Sequence, residues 1–542
     1  MSIMGQTGSW GDQGDGTYRN PILSADYPDV DVEQVGDTYY MISSKQHMSP
    51  GMVILESKDM VNWCTIGHVW PTLSWAPEYN WDQMGGYGFG VWAGDLTHHE
   101  GKWYCHQIDN RHGLYVSTAD DIRGPWTDPH QMLPVDKTCT DPAVFWDDDE
   151  GQAYLAHNTG SKLMSPEGQA SGNEIRLHRM SWDGLEVLDE GEVVHTGQGA
   201  EAAKIYKIDG CFYFFLAQWF VPDPRAPEHP DACESDRKQL VLRSTTDSIY
   251  GPFETKIVME RGNGVIRPCS QGALMRAPDK TWWYTHQLIQ RYRDDGERTP
   301  IEGRPQYLEP VEWIDGWPII GEDNEGNGIG NPVLSHKKPI DGFPVNVPPT
   351  DDEFGSPELG LQWEWNHNPR DSHWSLTERP GWLRVKASVP VGEGGFWKAC
   401  NTVTQRLMGT GRSEARAKFD IAGMRPAQRA GFVRFGGVYH LVGVHIEDDG
   451  RRRLYIDANG RISEGPEIDG NDLWIQTENL GEQARFLYST DGEEFFDIGD
   501  PFILRFGTWT GDRLGFFCWN DREAAGHLDI DWFHYDYDGP KS

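Results

Sequence analysis

Gly36-Asp37-Thr38-Tyr39-Tyr40-Met41 sets a turn directly ahead of an aromatic-rich run and reads as the turn and second strand of a β-hairpin. The same pattern returns at Gly101-Lys102-Trp103-Tyr104-Cys105, Gly151-Gln152-Ala153-Tyr154-Leu155, Gly210-Cys211-Phe212-Tyr213-Phe214 and Asp279-Lys280-Thr281-Trp282-Trp283-Tyr284. Third strands follow several copies: Val53 to Ser57 leads to Asn62-Trp63, Leu114 to Ser117 to Gly124-Pro125-Trp126, and Leu240 to Ser244 to Gly251-Pro252-Phe253. Each ends in a turn with an aromatic plug. Five copies at a period of about fifty to sixty residues, each supplying three or four strands, predict an all-β, five-bladed β-propeller over residues 18–335. One small sheet cannot bury both faces, and radial stacking buries them against each other. A β-sandwich with coincidental spacing is the competing architecture. Helical periodicity is nearly absent.

The pattern stops near Asn331, and the Pro-rich Pro339 to Pro349 reads as a linker. Beyond it, runs such as Ala430 to Phe435, Leu514 to Trp519 and Leu528 to Phe533 predict a C-terminal β-sandwich, a concanavalin-like jelly roll, over 350–542. The 542 residues carry 84 Asp and Glu against 48 Lys and Arg, a net charge of −36, which argues against nucleic acid or an anionic membrane as partner. No apolar run is long enough to span a membrane. The 24 Trp and 62 Gly fit short strands and tight turns, and flat rings suit both sugars and β cores. The opening MSIMGQTGSW lacks a secretory pattern, so the expected location is the cytoplasm, or outside the cell if a signal has been removed. Eight scattered cysteines without a Cys-x-x-Cys pair predict buried free thiols and no zinc site.

In a propeller the first strand of each blade lines the central channel. Reading back from each hairpin turn gives Tyr27-Pro28-Asp29-Val30-Asp31-Val32, Val91-Trp92-Ala93-Gly94-Asp95-Leu96, Thr140-Asp141-Pro142-Ala143, Ala200-Glu201-Ala202-Ala203 and Ser270-Gln271-Gly272-Ala273. Carboxylates gathered there shift one another's pKa values, as acid–base chemistry requires. Glycoside hydrolysis needs two carboxyl groups flanking one bond. Asp29, Asp141 and Glu201 form the predicted catalytic cluster; singly, each serves equally well to solvate a strand end or hold an ion.

Here the sequence resembles glycoside hydrolase family 43. Asn20-Pro21-Ile22-Leu23, Tyr27-Pro28-Asp29 and Ser57-Lys58-Asp59-Met60-Val61-Asn62-Trp63 look like its opening, Asp141-Pro142 with Phe145 like its third blade, and Glu201 to Lys207 like its acid motif. Gly303-Arg304-Pro305 with Asp315-Gly316-Trp317-Pro318 resembles its last blade. Trp363 to Pro369 and Asn401 to Arg406 look like the sandwich of its xylosidase and arabinofuranosidase branches. The resemblance implies inversion, with Asp29 as general base, Glu201 as general acid, and Asp141 holding Glu201 and raising its pKa. Val30 follows Asp29 where the family often has Pro, which leaves Asp31 a rival base, and Gly94 replaces the Pro of a Trp-Ala-Pro motif.

Further expectations attach to the pocket. Arg304 is the predicted sugar-contacting arginine, Trp92 and Phe145 stack on sugar or plug blades, Gln271 lines the pocket, and Phe396-Trp397 in a Gly-rich loop walls one side. The insert Pro222 to Lys238 overhangs the pocket or decorates the surface. No cofactor is required; the resemblance allows a structural Ca²⁺ in the channel, or in the sandwich near Asp351-Asp352-Glu353 with Asp529 or Asp531. His98-His99 face opposite ways, make a poor metal pair and are expected to be solvent-exposed. The expected function is an inverting, exo-acting α-L-arabinofuranosidase on arabinoxylan, with β-D-xylosidase on xylo-oligosaccharides second. The expected partners are arabinoxylan, xylan or their oligosaccharides. A non-catalytic sugar-binding propeller and an interaction scaffold are the alternatives of other classes.

Overall fold

The computed structural model describes residues 6–134, 139–159, 172–219, 221, 237–262, 266, 271–287, 301–507 and 509–542. Every hairpin that the repeat predicts is formed. Gly36, Gly101, Gly151 and Gly210 take φ of 65°, 79°, 64° and 81°, and Lys280 takes 75° at the fifth turn. A Cβ on any of the four glycines would meet nothing within 4 Å, so the backbone angle, not space, selects glycine there.

Five four-stranded antiparallel sheets follow one another along the chain. Their first strands are Asp31–Val35, Gly94–His99, Cys139–Asp147, Glu201–Ile208 and Gly272–Arg276. Each first strand touches the next, and the fifth touches the first, so the five close into a ring. The domain holds a sixth sheet that the five-blade expectation lacks. Gly11–Asp12, Thr17–Arg19 and Ser335–Lys337 pair as three short strands. They carry no aromatic hairpin signature and join residues 317 positions apart, as in the bond from Ser335 Oγ to the Tyr18 carbonyl. The chain start then lies along the fifth sheet, where Ile22 N–H bonds the Gln306 carbonyl at 2.8 Å.

Inside the ring, Lys204 Nζ sits 3.0 Å from Asp31 and 3.8 Å from Asp95 and donates to the Gly94 carbonyl at 3.2 Å. Asp31, the rival base, is thereby committed to this buried ion pair and to the Leu96 N–H at 2.8 Å. Burial, followed by the charge of Asp31, pushes Asp95 up to about 7. His98 lies tilted against Trp103 and His99 stacks on Trp146, each at 4.8 Å. His99 is buried, rather than exposed. Among the described residues no group of three or more His, Cys, Asp or Glu side chains is arranged to hold a metal. The acids of the sandwich considered for Ca²⁺ have other partners: Asp529 takes Arg379 and Arg384, and Asp531 takes Lys418. The six described cysteines are free thiols, four of them buried.

An eight-stranded and a seven-stranded sheet make the sandwich. Arg412–Asp420 shows why they pack: Ser413, Ala415, Ala417 and Phe419 alternate inward along one strand. Phe419, Phe432, Phe516, Phe533 and Trp363 fill the space between the sheets. The eighth strand of the larger sheet, Met48–Ser49, comes from the propeller and pairs with Trp365 and Asn366.

Charge also crosses this junction. Glu364, fully buried, meets Lys45 at 3.1 Å, Arg406 at 2.5 Å and Arg513. Burial alone would raise its pKa, but Arg406, Arg513 and Lys45 overcome that and hold it well below the usual range. Burial pulls Lys45 down to about 7 against the attraction of Glu364. Nearby, Glu302 is buried, and its Oε2 has no hydrogen-bond partner among the described residues. Burial, with some help from Asp26, pushes it to about 8. A carboxyl raised from about 4.3 takes up a proton on folding, so its stabilising contribution is complete below the unfolded value and is lost as pH rises towards 8. Glu302→Gln is expected to flatten the fall in stability between about pH 5 and pH 8, read by urea unfolding. An unchanged slope would refute the assignment.

Candidate active site

At one end of the ring, four of the five inner strands begin with the same backbone device. Asp29, Asp141, Ala202 and Gln271 have φ of 54°, 52°, 62° and 57°. Register shifts between Thr140 and Ala143 and between Glu201 and Lys204 mark bulges at two of them. Non-glycine residues in this region cost on the order of 1–3 kcal/mol each, and bulges turn side chains away from the regular pleat. The strain accompanies the concentration of acids expected there.

Asp29 is nearly buried and tightly held. Its Oδ2 accepts from Ser44 Oγ at 2.5 Å, and its Oδ1 from Arg304 at 2.6 Å and Gln287 Nε2 at 3.0 Å. The Asp29 N–H donates to Gln287 Oε1 at 2.6 Å, so one amide grips both ends of the residue. Asp141 accepts the Ala202 N–H at 3.1 Å and a hydrogen bond from Gln271. Burial first, then the nearby charge of Asp29, pushes Asp141 up to about 6, while Ala202 N–H and Arg237 oppose the shift. Asp141 therefore holds the backbone beside Glu201 rather than the carboxyl itself. Glu201 keeps some exposure, and its carboxylate pairs with Arg237. The Arg237 guanidinium lies 4.5 Å over the ring of Trp219.

Arg304 also donates to the Trp509 carbonyl at 3.2 Å and lies 5.8 Å from that ring's centre. Trp509 belongs to the sandwich and stands 6.5 Å from Trp92, edge to face. The structure thus gathers Asp29, Asp141, Glu201, Gln271, Arg304 and Trp92 at one end of the ring. It does not bring Phe145 there. That ring lies four residues along the strand from Asp141, edge-on to Phe212 at 5.9 Å, in the core between the third and fourth sheets. Phe396 is also misplaced by the sequence reading: it is 0 % exposed, packed on Phe435 and Tyr439. Its neighbour Trp397 instead lines a cavity of about 240 Å³ between the domains, with His47, Tyr87, Gly88, Phe435 and Thr510. Gly88 accepts from Trp92, and Thr510 follows Trp509, which sets this cavity against the site.

Four contributors escaped the sequence reading. Extending the register of Asp31 with Ile42 puts Ser44 opposite Asp29, and that of Gly272 with His286 puts Gln287 opposite Gln271, so hairpin arithmetic could have found both. Trp509 arrives from another domain and Arg237 from the end of the Pro222–Lys238 insert, where no local signal marks them. Residues 222–236 of that insert lie outside the described residues.

A closed ring of antiparallel sheets with three carboxyl groups, two paired arginines and flanking indoles at its mouth has the groups that acid–base cleavage of a glycosidic bond requires. The chain belongs to glycosyl hydrolases family 43, whose family model matches residues 18–318, and the model of the beta xylosidase C-terminal concanavalin A-like domain matches 351–536. It is a glycoside hydrolase. It is 59% identical over 557 residues to a beta-xylosidase of Formosa agariphila, covering 99% of this chain and 93% of that one. It is 27% identical to a non-reducing end alpha-L-arabinofuranosidase of Bacteroides ovatus, over 69% of this chain and 65% of the other. The solved structure of a bifunctional GH43-CE protein of Bacteroides eggerthii superposes with a TM-score of 0.77 at 28% identity, over 96% of this chain and 63% of that chain.

Proposed function

We propose that the chain is an inverting, exo-acting β-D-xylosidase that releases terminal xylose from xylan-type oligosaccharides. The observation that carries this reading is the 59% identity to a beta-xylosidase across nearly the whole of both chains, with all three acids at the ring mouth. This reverses the order of substrates expected from sequence, which set arabinofuranose first. That sugar remains the second reading, supported by the relative from Bacteroides ovatus.

Asp29 takes a proton from water as the water oxygen bonds the anomeric carbon. Glu201 gives its proton to the departing glycosidic oxygen as the carbon–oxygen bond breaks. Asp141 is a positioning residue acting through the Ala202 N–H. Arg304 fixes Asp29 and offers its remaining donors to sugar hydroxyls. Trp509 and Trp92 stand edge to face beside Arg304, and we assign them to the terminal sugar of the chain. Paired assays on nitrophenyl β-D-xyloside and α-L-arabinofuranoside test the preference, with xyloside favoured by about tenfold or more, roughly 1.4 kcal/mol. Proton NMR should show α-xylose as the first-formed anomer. A higher rate on the arabinofuranoside would overturn the substrate, and β-xylose first would overturn inversion.

A further inference from the structure

The two arginines of the site sit with different acids. Arg304 pairs with the proposed base Asp29 and is tied to the sandwich through the Trp509 carbonyl. Arg237 pairs with the proposed acid Glu201. Because the general acid stands beside the departing oxygen, Arg237 lies on the leaving-group side. It is 8% exposed at the side chain, and its guanidinium is backed by Trp219. Gly199 makes room for that indole, since a Cβ there would come within 2.7 Å of it.

This arrangement poses a chemical conflict. A guanidinium bonded to a carboxylate favours its ionised form. Glu201 must nevertheless carry a proton when the leaving oxygen departs. A neutral leaving sugar brings only hydroxyls, which compete poorly with a carboxylate for a guanidinium. An anion on that sugar matches the fork of donors and would take the guanidinium from Glu201, freeing the carboxyl to be protonated. We propose that Arg237 binds an anionic group, a carboxylate or a sulfate ester, on the leaving sugar, so that the favoured substrate is a xyloside of an acidic sugar. This rests on the xylosidase reading and on Glu201 as its acid.

Three disaccharides that differ only at C6 of the leaving sugar test it: xylosyl-glucose, xylosyl-glucuronate and 6-sulfated xylosyl-glucose. Wild-type kcat/KM is expected to be about tenfold or more higher on at least one acidic disaccharide than on the neutral one, the size expected of a charge-assisted contact. The better acidic substrate distinguishes carboxylate from sulfate. Arg237→Gln should bring the acidic-to-neutral ratio to near one, and Arg237→Lys should restore part of it. The ratio is internal to each variant, so a partly folded preparation does not alter it. A wild-type ratio near one, or a preference that survives Arg237→Gln, overturns the inference. Cleavage of nitrophenyl xyloside with no cleavage of any disaccharide also overturns it and leaves the xylosidase reading standing. Inactivity on nitrophenyl xyloside as well would bring down both.

Discussion

Glu201→Gln should lower kcat/KM on xylobiose by about 10²–10⁴-fold, the usual contribution of a positioned general acid. The loss should be far smaller on nitrophenyl xyloside, because nitrophenolate departs without a proton. Asp29→Asn should be equally damaging on both substrates, since each needs an activated water. Amide for carboxylate preserves size, and Glu201 retains some exposure, so the fold should bear the change. The contrast between substrates separates an acid from a merely structural carboxylate. Equal losses for Glu201→Gln on xylobiose and nitrophenyl xyloside would refute its role, and unchanged turnover in both variants would refute the whole site.

The largest stability effect is expected at Glu364. Replacing it by Leu leaves Lys45, Arg406 and Arg513 facing one another without their shared counter-charge. Removing one partner of a buried ion pair costs about 3–5 kcal/mol, and here one carboxylate serves three cations. The effect should reach the chemistry as well. Arg406 donates to the Asp26 carbonyl at 2.6 Å, and Asp26 accepts the N–H of Arg304, which holds Asp29. Urea unfolding and residual kcat are the two measurements. A loss below about 1 kcal/mol, the scale of an exposed pair, would show that the network carries little.

The propeller was legible because its hairpins are local: a left-handed turn followed by aromatic residues is written within six positions, five times over. The sixth sheet was not, because its strands are two and three residues long and find partners across the chain. Asp29, Asp141 and Glu201 could be picked out by position within each repeat. Choosing between Asp29 and Asp31 by strand alternation alone was harder, since both share one face in a regular strand. The structure separates them, with Asp29 before the regular strand in a left-handed conformation and Asp31 within it, bound to Lys204. Phe145 misleads because an aromatic residue near an acid in sequence carries no mark of which neighbour will cover it, and Phe396 because its place in a Gly-rich loop does not say on which side the ring packs. Arg237 is invisible for the converse reason, as a basic residue at the edge of a polar insert looks like ordinary surface.

The short strand Met48–Ser49, lodged as the outermost member of a sheet that otherwise belongs to the sandwich, bears on how such a gene can be rearranged. A module appended by a flexible tether can be cut away or grafted elsewhere with little consequence. Here a cut through the linker would strip a backbone partner from Glu364–Asn366, lay bare a buried carboxylate and three buried cations, and remove Trp509 from the catalytic mouth. Separating the two halves should therefore damage both, and a shuffled enzyme would need to carry the junction along with the active site.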